Sequence, residues 1–528
     1  MTVCSPCSST REPTKHVYYG LTKSLCAVCK KSVDAKIQFR DDKVWFKKYC
    51  PAHGHQEVMV ASNVAWYLDA LSFVAPASPP KGEKKPVKAG CPYDCGPCKS
   101  HQQRVFMPVV PITSACNLDC PICYTINKND DAYVLSKESF QQMLAHIVAR
   151  AVGGDLDIIN FTGGEPTLHP ELPELLRMSR RAGFRRLTIS TNGLKLRDEA
   201  YVKELADAGA RIVLSLDTFD DDVDMKLLGA TTLKIKLRVL ELLEKNDVTT
   251  TILPAIATGL NDKDVPRLLE LVLQRPNVCS LEMHTLTFTG QGGVGFERSA
   301  RITVPDLHAI VEKATEGRIG PKDFVPSPVA HPHCYSISYA LVLDGAPPTL
   351  TSGYVPFTRF MSRARVFELL SDSLYMQPRA KVEQYLTEAI DEMWANASES
   401  SAVPECERVL VTLKRLIRDM FPTDGALSLE ARQKIAERAT KAIYIHSHMD
   451  EESLDVARLM KCSVGVPGED GSNIPTCSYN VLYRERDPRF ADPTMIARIA
   501  AHRELDDPSV PARHAAATPK KRGLPIVS

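Results

Sequence analysis

SACNLDCPICY, residues 114–124, is the stretch of sequence that decides the fold of this chain. It sets Cys116, Cys120 and Cys123 in a C-x3-C-x2-C loop, which offers three thiolates to one site. Thiolates are the usual ligands of four-iron clusters, and a cluster with only three of them keeps one iron open to a small molecule. Zinc is the alternative, but structural zinc generally takes four ligands in C-x2-C pairs. The spacing therefore favours an iron-sulfur cluster with one open iron.

A second motif follows in DLDIINFTGGEPTLHP, residues 155–170. It reads as a short apolar strand that breaks at Gly163, Gly164 and Glu165. Glycines lack a Cβ and let the backbone approach a ligand closely, while a carboxylate at the end of a strand suits an ammonium group. Taken alone, the segment is also compatible with an ordinary turn.

In this order the two motifs resemble the radical S-adenosylmethionine (radical SAM) superfamily. The resemblance implies that Cys116, Cys120 and Cys123 hold a [4Fe-4S] cluster whose fourth iron binds SAM, and that the GGE segment contacts the SAM amine. It further implies an enzyme that cleaves SAM to a 5′-deoxyadenosyl radical, which abstracts hydrogen from an unactivated carbon. A reductant such as ferredoxin or flavodoxin would supply the electron.

The middle of the chain alternates between strand and helix patterns, which defines the expected fold class. Strands are predicted at 107–113, 156–161, 186–190, 212–216, 250–256 and 278–285, and helices at 136–152, 171–182, 198–208, 232–245 and 263–274. Such repeats imply an α/β fold with a parallel sheet, whose ligands bind where the strands end. The pattern resembles the partial (β/α)6 barrel of the superfamily.

Polar side chains stand where two of these strands end. The resemblance implies that they touch the carboxylate and ribose of SAM, although each alone also suits a helix cap. They are Ser190, Asn192, Ser215 and Asp217. Ile122 occupies a position that is often aromatic in the family and lies near adenine, so the adjacent Tyr124 is the candidate for that contact.

TGQGGVGF, residues 289–296, contains a G-x-G-x-x-G pattern at Gly290, Gly292 and Gly295. A dinucleotide-binding loop would open a helix directly after the first strand of a βαβ unit, whereas FERSARIT separates this pattern from the next helix. We therefore expect a flexible loop over the barrel mouth.

Cysteines outside the first loop predict further metal centres. Cys26, Cys29, Cys50 and His53 resemble a rubredoxin-like or zinc-ribbon knuckle, with zinc favoured if His53 is the fourth ligand and iron if another thiolate takes its place. CPYDCGPC suggests one auxiliary cluster, and two later cysteines suggest a clamp on a further one. These candidates are Cys91, Cys95 and Cys98, with Cys334, Cys462 and Cys477 as remote ligands. A further pair, Cys4 and Cys7, lies in a polar N-terminus.

The ordered motifs between residues 20 and 485 are similar to the archaeal tetraether lipid synthases, a group also named by older analogy after pterin methyltransferases. That resemblance implies one or two auxiliary [4Fe-4S] clusters, a mononuclear iron or zinc, and a carbon-carbon bond formed between lipid alkyl chains. Two alternatives stay open. One is a radical SAM methyltransferase or modifier of a pterin, peptide or other small molecule, and the other is a non-enzymatic zinc-binding protein.

Breaks in the sequence divide the chain into five parts. We expect a knuckle domain at 1–73, a Pro/Lys-rich linker at 74–90, the barrel with its preceding auxiliary cysteines at 91–304, a largely helical region with auxiliary-cluster cysteines at 305–490, and a tail at 491–528 that is disordered towards its end.

Composition limits the function classes. The chain has 528 residues, of which 44% are hydrophobic, and a net charge of +1, which gives no nucleic-acid footprint. No apolar stretch reaches the roughly 18 residues of a transmembrane helix, and no signal region is seen. Sixteen cysteines indicate metal binding in a reducing cytoplasm. An apolar stripe at 409–421 would suit either a core or peripheral contact with a membrane, so both remain open for an enzyme with an apolar substrate.

Overall fold

The protein is described by a computed structural model covering residues 15–74, 78–82, 85–96, 98–151, 156–345, 347–370, 387–388, 390–396 and 405–505. The Cys4 and Cys7 pair and the end of the predicted tail lie outside these described residues.

A four-stranded antiparallel sheet forms the N-terminal part. Its strands pair in chain order and are β1 (Val17–Leu25), β2 (Ser32–Arg40), β3 (Lys43–Cys50) and β4 (Gly54–Ala61), followed by helix α1 (Val64–Leu71). Alternate residues of β2 and β3, among them Ile37 and Phe46, are buried on one face. The β1–β2 and β3–β4 turns lie at the same end of this sheet, which brings the two halves of the cysteine knuckle together.

The other strands form one large sheet whose centre has the predicted order. Parallel neighbours are β5 (Met107–Thr113), β6 (Ile158–Gly163), β7 (Arg186–Thr191), β8 (Ala210–Leu214), β9 (Thr250–Ile252) and β11 (Val278–Thr285), with β10 (Ala255–Ile256) also paired to β11. The predicted α/β fold with a partial (β/α)6 barrel is confirmed.

Helices connect these strands and cover the sheet. They are α2 (Lys137–Arg150), α3 (Leu172–Ala182), α4 (Glu199–Asp207), α5 (Asp221–Leu228), α6 (Leu233–Lys245) and α7 (Val265–Gln274). Ser136 caps α2 by accepting a hydrogen bond from Ser139 N. Ile159, Phe161 and Leu281 are fully buried where helices meet the sheet. The sequence did not predict α5.

The segment after residue 304 contains helices and also adds strands to both edges of the sheet. Its helices are α8 (Val304–Ala314), α9 (Arg363–Leu369), α10 (Cys406–Met420), α11 (Leu429–Arg438), α12 (Val456–Met460) and α13 (Pro493–Leu505). The added strands are β12 (Val325–Pro326), β13 (Tyr335–Val342), β14 (Tyr354–Pro356), β15 (Thr440–His446), β16 (Val464–Pro467) and β17 (Asn473–Pro475). Two additions extend the parallel order, because β15 pairs with β11 and β16 pairs with β5.

The apolar stripe of α10 belongs to a core. Val409, Leu413 and Met420 are fully buried and pack in one cluster with Phe360 and Phe367. The stripe therefore gives no separate support to contact with a membrane. Within the described residues, no helix combines the length and apolarity that crossing a bilayer requires.

Candidate active site and metal centres

The first cysteine loop follows β5 at the edge where the parallel strands end. Backbone hydrogen bonds shape it: Cys123 N donates to Cys120 O at 3.0 Å, and Cys116 N donates to Asn129 Oδ1 at 2.8 Å. Burial raises the pKa of Cys116, with repulsion from Glu165, and raises the pKa of Cys120, with repulsion from the neighbouring thiols. Three thiolates gathered in this setting need a cationic partner such as iron.

Gly163 and Gly164 allow the strand end of β6 to lie directly on the cysteine loop. A Cβ at Gly163, where φ is +153°, would stand 2.2 Å from Thr113 O, and one at Gly164 would stand 2.1 Å from Ala115 O. Gly164 N and Glu165 N donate to these same two carbonyls at 2.8 and 2.7 Å. The close approach that the sequence analysis assigned to a ligand is here an approach to the protein backbone, and contact with SAM stays a prediction.

Glu165 ties the ends of two strands together. Its carboxylate is buried and accepts hydrogen bonds from Thr167 N at 3.0 Å, Thr167 Oγ1 at 2.6 Å, Thr191 Oγ1 at 2.6 Å and Asn192 N at 2.8 Å. Burial raises the pKa of Glu165, although these donors favour the ionised form. The side chain therefore fixes the relative position of β6 and β7 below the cysteine loop.

The other predicted polar residues divide into two kinds. Asn192 reaches the cysteine loop, since its Nδ2 donates to Asn117 Oδ1 at 2.7 Å. Ser190 donates to Asn160 Oδ1 at 3.1 Å and Ser215 to Thr191 O at 3.4 Å, so both hydroxyls are engaged with the sheet.

Lys236 is a candidate that the sequence analysis missed. It is fully buried, its Nζ lies 4.0 Å from Asp217 Oδ2, and it has no hydrogen-bond partner among the described residues. Its charge acts on Cys120, one of the three loop thiols. A buried ammonium whose N–H donors make no hydrogen bond beside this one ion pair fits a further anionic group such as the carboxylate of SAM. The available signal was its place on the buried stripe of α6, beside Leu240 and Leu243.

The glycine-rich segment supports the cysteine loop and is not a flexible cover. Gly290 to Gly293 form a buried turn, and Gly292 N donates to Cys123 O at 2.8 Å. A Cβ at Gly290 would stand 2.6 Å from the carbonyl carbon of Tyr124. The expectation of a mobile loop over the mouth is therefore wrong, because the glycines permit backbone packing against the thiol loop.

Two contacts from the C-terminal segment also reach this loop. Arg484 is buried and donates from Nε to Ile126 O at 3.0 Å, and its charge acts on Cys123. Tyr124 stacks on His448 with ring centroids 5.0 Å apart, while Ile122 packs in an apolar cluster with Leu227 and Phe288. Neither the arginine nor the histidine was predicted from sequence.

The knuckle gathers four metal-ligand atoms in one place. Donor atoms of Cys26, Cys29, Cys50 and His53 all lie within 4.8 Å of one another, and His53 Nδ1 is 3.5 Å from the Sγ atoms of both Cys26 and Cys50. Gln56 Nε2 donates to Cys26 Sγ at 3.2 Å. With His53 as the fourth ligand, the site supplies the four protein ligands that a tetrahedral structural zinc ion requires.

The other six cysteines that the sequence analysis proposed as metal ligands form two trios. Cys91, Cys95 and Cys98 line one small pocket together with Asp94 and His101. No further cysteine lines the described part of that pocket, and a remote fourth ligand from Cys334, Cys462 or Cys477 stays a prediction.

The second trio consists of Cys334, Cys462 and Cys477. Burial raises the pKa of the Cys462 thiol, and the charges of Cys477 and Cys334 raise it further. Arg458 Nε donates to Cys334 Sγ at 3.4 Å. The two trios are neighbours, because Ser478 Oγ lies 3.2 Å from Cys95 Sγ.

The distances between donor atoms distinguish sites for a single metal ion from the cysteine loop at Cys116. Among the described residues, two sets of three or more donors lie within 4.8 Å of one another, namely the knuckle and a histidine set at His284, His446 and His448. A zinc ion with bonds of about 2.3 Å holds its sulfurs roughly 3.8 Å apart. The loop at Cys116 is in neither set, and its wider spacing suits a cluster.

Comparison with known proteins identifies the class. Residues 110–272 match the Radical SAM superfamily, and residues 18–62 match the HMPTM N-terminal zinc ribbon domain. The chain thus contains a radical SAM domain preceded by a zinc ribbon, as the cysteine motifs and the GGE segment predicted. These matches do not favour the alternative of a purely structural zinc protein.

Individual relatives share under a third of their aligned residues with this chain. 7,8-dihydro-6-hydroxymethylpterin dimethyltransferase from Methanocaldococcus jannaschii is 29% identical over 495 residues, which are 89% of this chain and 96% of that protein. A probable GTP 3′,8-cyclase from Saccharolobus islandicus is 29% identical over 222 residues, 41% of this chain and 68% of that protein. Among solved structures, Streptococcus suis SuiB bound to S-adenosylmethionine aligns with 40% of this chain and 48% of its own, with 18% identity and a TM-score of 0.34.

Proposed function

We propose that this enzyme modifies, and most simply methylates, an unactivated carbon of a heteroaromatic substrate of the pterin class. When bound, SAM supplies a 5′-deoxyadenosyl radical after the cluster is reduced, and a second SAM supplies the methyl group. A ferredoxin or flavodoxin is the proposed reductant. Support comes from the pterin-modifying relative, which aligns along nearly its whole length.

The polarity of the barrel mouth carries this proposal. Strand β11 ends there at Thr285, directly after His284, and β15 ends at His446, with Glu282 and His448 nearby. Ring nitrogens and oxygens of a pterin would make hydrogen bonds with such groups. An alkyl chain makes none, and would leave buried polar groups unpaired at a cost of about 1–3 kcal/mol each.

The chain's own residues have distinct proposed roles in holding the cofactors. Cys116, Cys120 and Cys123 hold the cluster, and Lys236 binds the carboxylate of SAM next to Asp217. The proposed SAM contacts of Gly163, Gly164, Glu165, Ser190, Asn192, Ser215, Asp217 and Tyr124 remain to be tested. The apolar cluster around Ile122 and Phe288 would keep water from the reacting carbon.

Isotope transfer tests the proposal. Reduced, reconstituted enzyme with trideuteromethyl-SAM and 7,8-dihydro-6-hydroxymethylpterin should yield 5′-deoxyadenosine and a pterin that carries the deuterated methyl group, both measured by mass spectrometry. Cys116→Ala should yield neither. Deoxyadenosine without any label in the pterin would reject the substrate class while leaving the radical SAM assignment intact.

A second candidate function is the joining of lipid alkyl chains through a carbon-carbon bond. The observation that favours it is the additional cysteine trio Cys334, Cys462 and Cys477, which would hold an auxiliary cluster and so supply a second sulfur-rich redox group for joining two substrates. Lipids from expressing cells should then lose two hydrogens per join. That result, with no labelled pterin, would replace the first proposal and renew the case for peripheral membrane contact.

A further inference from the structure

The pairing of β11 with β15 builds a compact set of imidazoles at the barrel mouth. The two strands are parallel, and His284 stands directly opposite His446 in their register. His448 follows two residues later. Ring centroids are 4.9 Å apart for His284 and His446, 5.0 Å for His284 and His448, and 4.0 Å for His446 and His448. One ring nitrogen from each lies within 4.8 Å of the other two.

Two features distinguish these histidines from ordinary packed ones: their burial and a ring nitrogen that has no hydrogen-bond partner among the described residues. His446 is 6% exposed and His448 is 9% exposed. His446 Nδ1 is buried without a hydrogen-bond partner among the described residues. A buried ring nitrogen that lacks a partner is costly unless it receives one, and a metal ion is a partner that three convergent imidazoles can share.

Neighbouring groups resemble the outer shell of a metal site. Glu282 Oε1 lies 3.0 Å from His284 Nε2, and carboxylates that orient ligating imidazoles in this way are common around bound metals. His448 Nδ1 lies 3.6 Å from Cys477 Sγ. Buried Arg458 also faces the site, but its guanidinium is engaged by Cys334 Sγ and the carbonyl of Ser447. The thiols of Cys334 and Cys477 and the carboxylate of Asp455 offset its positive charge.

We propose that His284, His446 and His448 bind one divalent transition-metal ion, distinct from the zinc ribbon and from the cysteine trios. Imidazole donors suit iron(II), cobalt(II) and zinc. Three protein ligands leave one position of a tetrahedral ion open, as in reactive rather than structural sites. A lone pair of a substrate oxygen or nitrogen is the chemical class that would fill it.

Metal counting on the anaerobically reconstituted holoenzyme, supplied with one equivalent of zinc for the ribbon, tests this site. After addition of cobalt(II) and desalting, the wild type should hold one equivalent of metal beyond the zinc of the ribbon and the iron of the clusters. His446→Gln and His284→Gln should each lose that equivalent and its high-spin cobalt signal. Glu282→Gln should weaken the affinity about tenfold or more.

A buried histidine elsewhere provides the matched control. His308→Gln removes a buried imidazole that contacts Ser336, and it should keep the additional metal. Unchanged ribbon zinc and cluster iron in the variants would show that they are folded. The proposal is overturned if the wild type takes up no extra metal, or if His446→Gln and His284→Gln retain it. The outcome does not depend on which substrate the enzyme uses.

Discussion

The zinc knuckle and the loop at Cys116 both use cysteine ligands, but the knuckle is a structural site and the loop is a reactive one. In the knuckle, Cys26, Cys29, Cys50 and His53 converge on one point from two tight turns, so no ligand position is left over. In the loop, backbone hydrogen bonds hold the three thiol-bearing residues, and the buried Lys236 beside them has an ion pair with Asp217 but no hydrogen-bond partner among the described residues. The difference teaches that a closed set of ligands stabilises a fold, whereas an incomplete set in a rigid frame makes a reaction centre.

Removing one loop thiol should have the largest effect. Cys116→Ala should reduce 5′-deoxyadenosine formation below detection, because a two-thiolate site does not retain the cluster. Ribbon zinc should stay at one equivalent. Cys279→Ala, which removes a thiol near the start of β11, is the control and should remain active. Deoxyadenosine from Cys116→Ala, measured by mass spectrometry, would place the reaction centre elsewhere.

Lys236→Met should be the next most severe change. Loss of a charged hydrogen bond to the SAM carboxylate costs about 1.5–3 kcal/mol, which weakens SAM binding roughly 10- to 150-fold. Equilibrium dialysis with labelled SAM measures it. Lys234→Met alters an exposed lysine of the same helix and should bind SAM normally. Equal affinity in the Lys236→Met variant would remove this residue from the open site.

Two glycines of one motif test how the loop is held. Gly290→Ala places a Cβ against the backbone of Tyr124 in a left-handed conformation, whereas Gly295→Ala meets no atom within 4 Å. We expect the first to lower cluster iron and deoxyadenosine formation about tenfold, and the second to leave both unchanged. Iron analysis and product assays on the two variants would show equal values if the loop did not depend on this support.

Removing one ligand of the zinc ribbon should leave SAM cleavage nearly unchanged. Cys29→Ala should remove the ribbon zinc and lower the thermal midpoint of the N-terminal sheet, because metal binding contributes directly to folding. Deoxyadenosine formation should stay within about twofold, since distant sites act nearly independently. Zinc analysis and the product assay check the two halves, and a collapse of SAM cleavage would mean that the two centres are coupled.

Acid should release the ribbon zinc gradually. Burial opposes ionisation of Cys50, but hydrogen bonds from His53 and backbone amides outweigh it and lower its pKa from 9.0 to about 6. A lowered pKa contributes stability that is complete above 9.0, declines below it and is lost as the pH falls through 6, where protons compete with the metal. A chromogenic zinc indicator should therefore show release mainly below that pH. Release that begins well above it would contradict the assignment.

Local patterns predicted the centre of the fold closely. The strand at 107–113 and the strand at 278–285 have their predicted bounds, and helix α6 differs by one residue. Apolar periodicity and turn residues are local signals, and a parallel sheet with helical crossovers follows from them. The cysteine spacings likewise indicated the metal-binding segments without any knowledge of their partners.

Features that depend on distant pairing escaped prediction. His284 and His446 become neighbours only because β15 joins β11 after an excursion of more than 150 residues along the chain. Lys236 looks like an ordinary surface lysine until the helix is placed against the sheet. Arg484 reaches the cysteine loop from the C-terminal segment. In each case the functional position of the side chain depends on contacts between distant segments, which a short stretch of sequence does not reveal.

The hydrogen bond from Gly292 N to Cys123 O makes the cysteine loop depend on a segment that is synthesised later. Its donor is made long after the thiols and belongs to a segment that follows the sixth parallel strand. During synthesis, the nascent cysteine loop consequently lacks part of its frame until that strand has emerged and docked. We therefore expect a product truncated before Gly290 to be a poor recipient of its cluster.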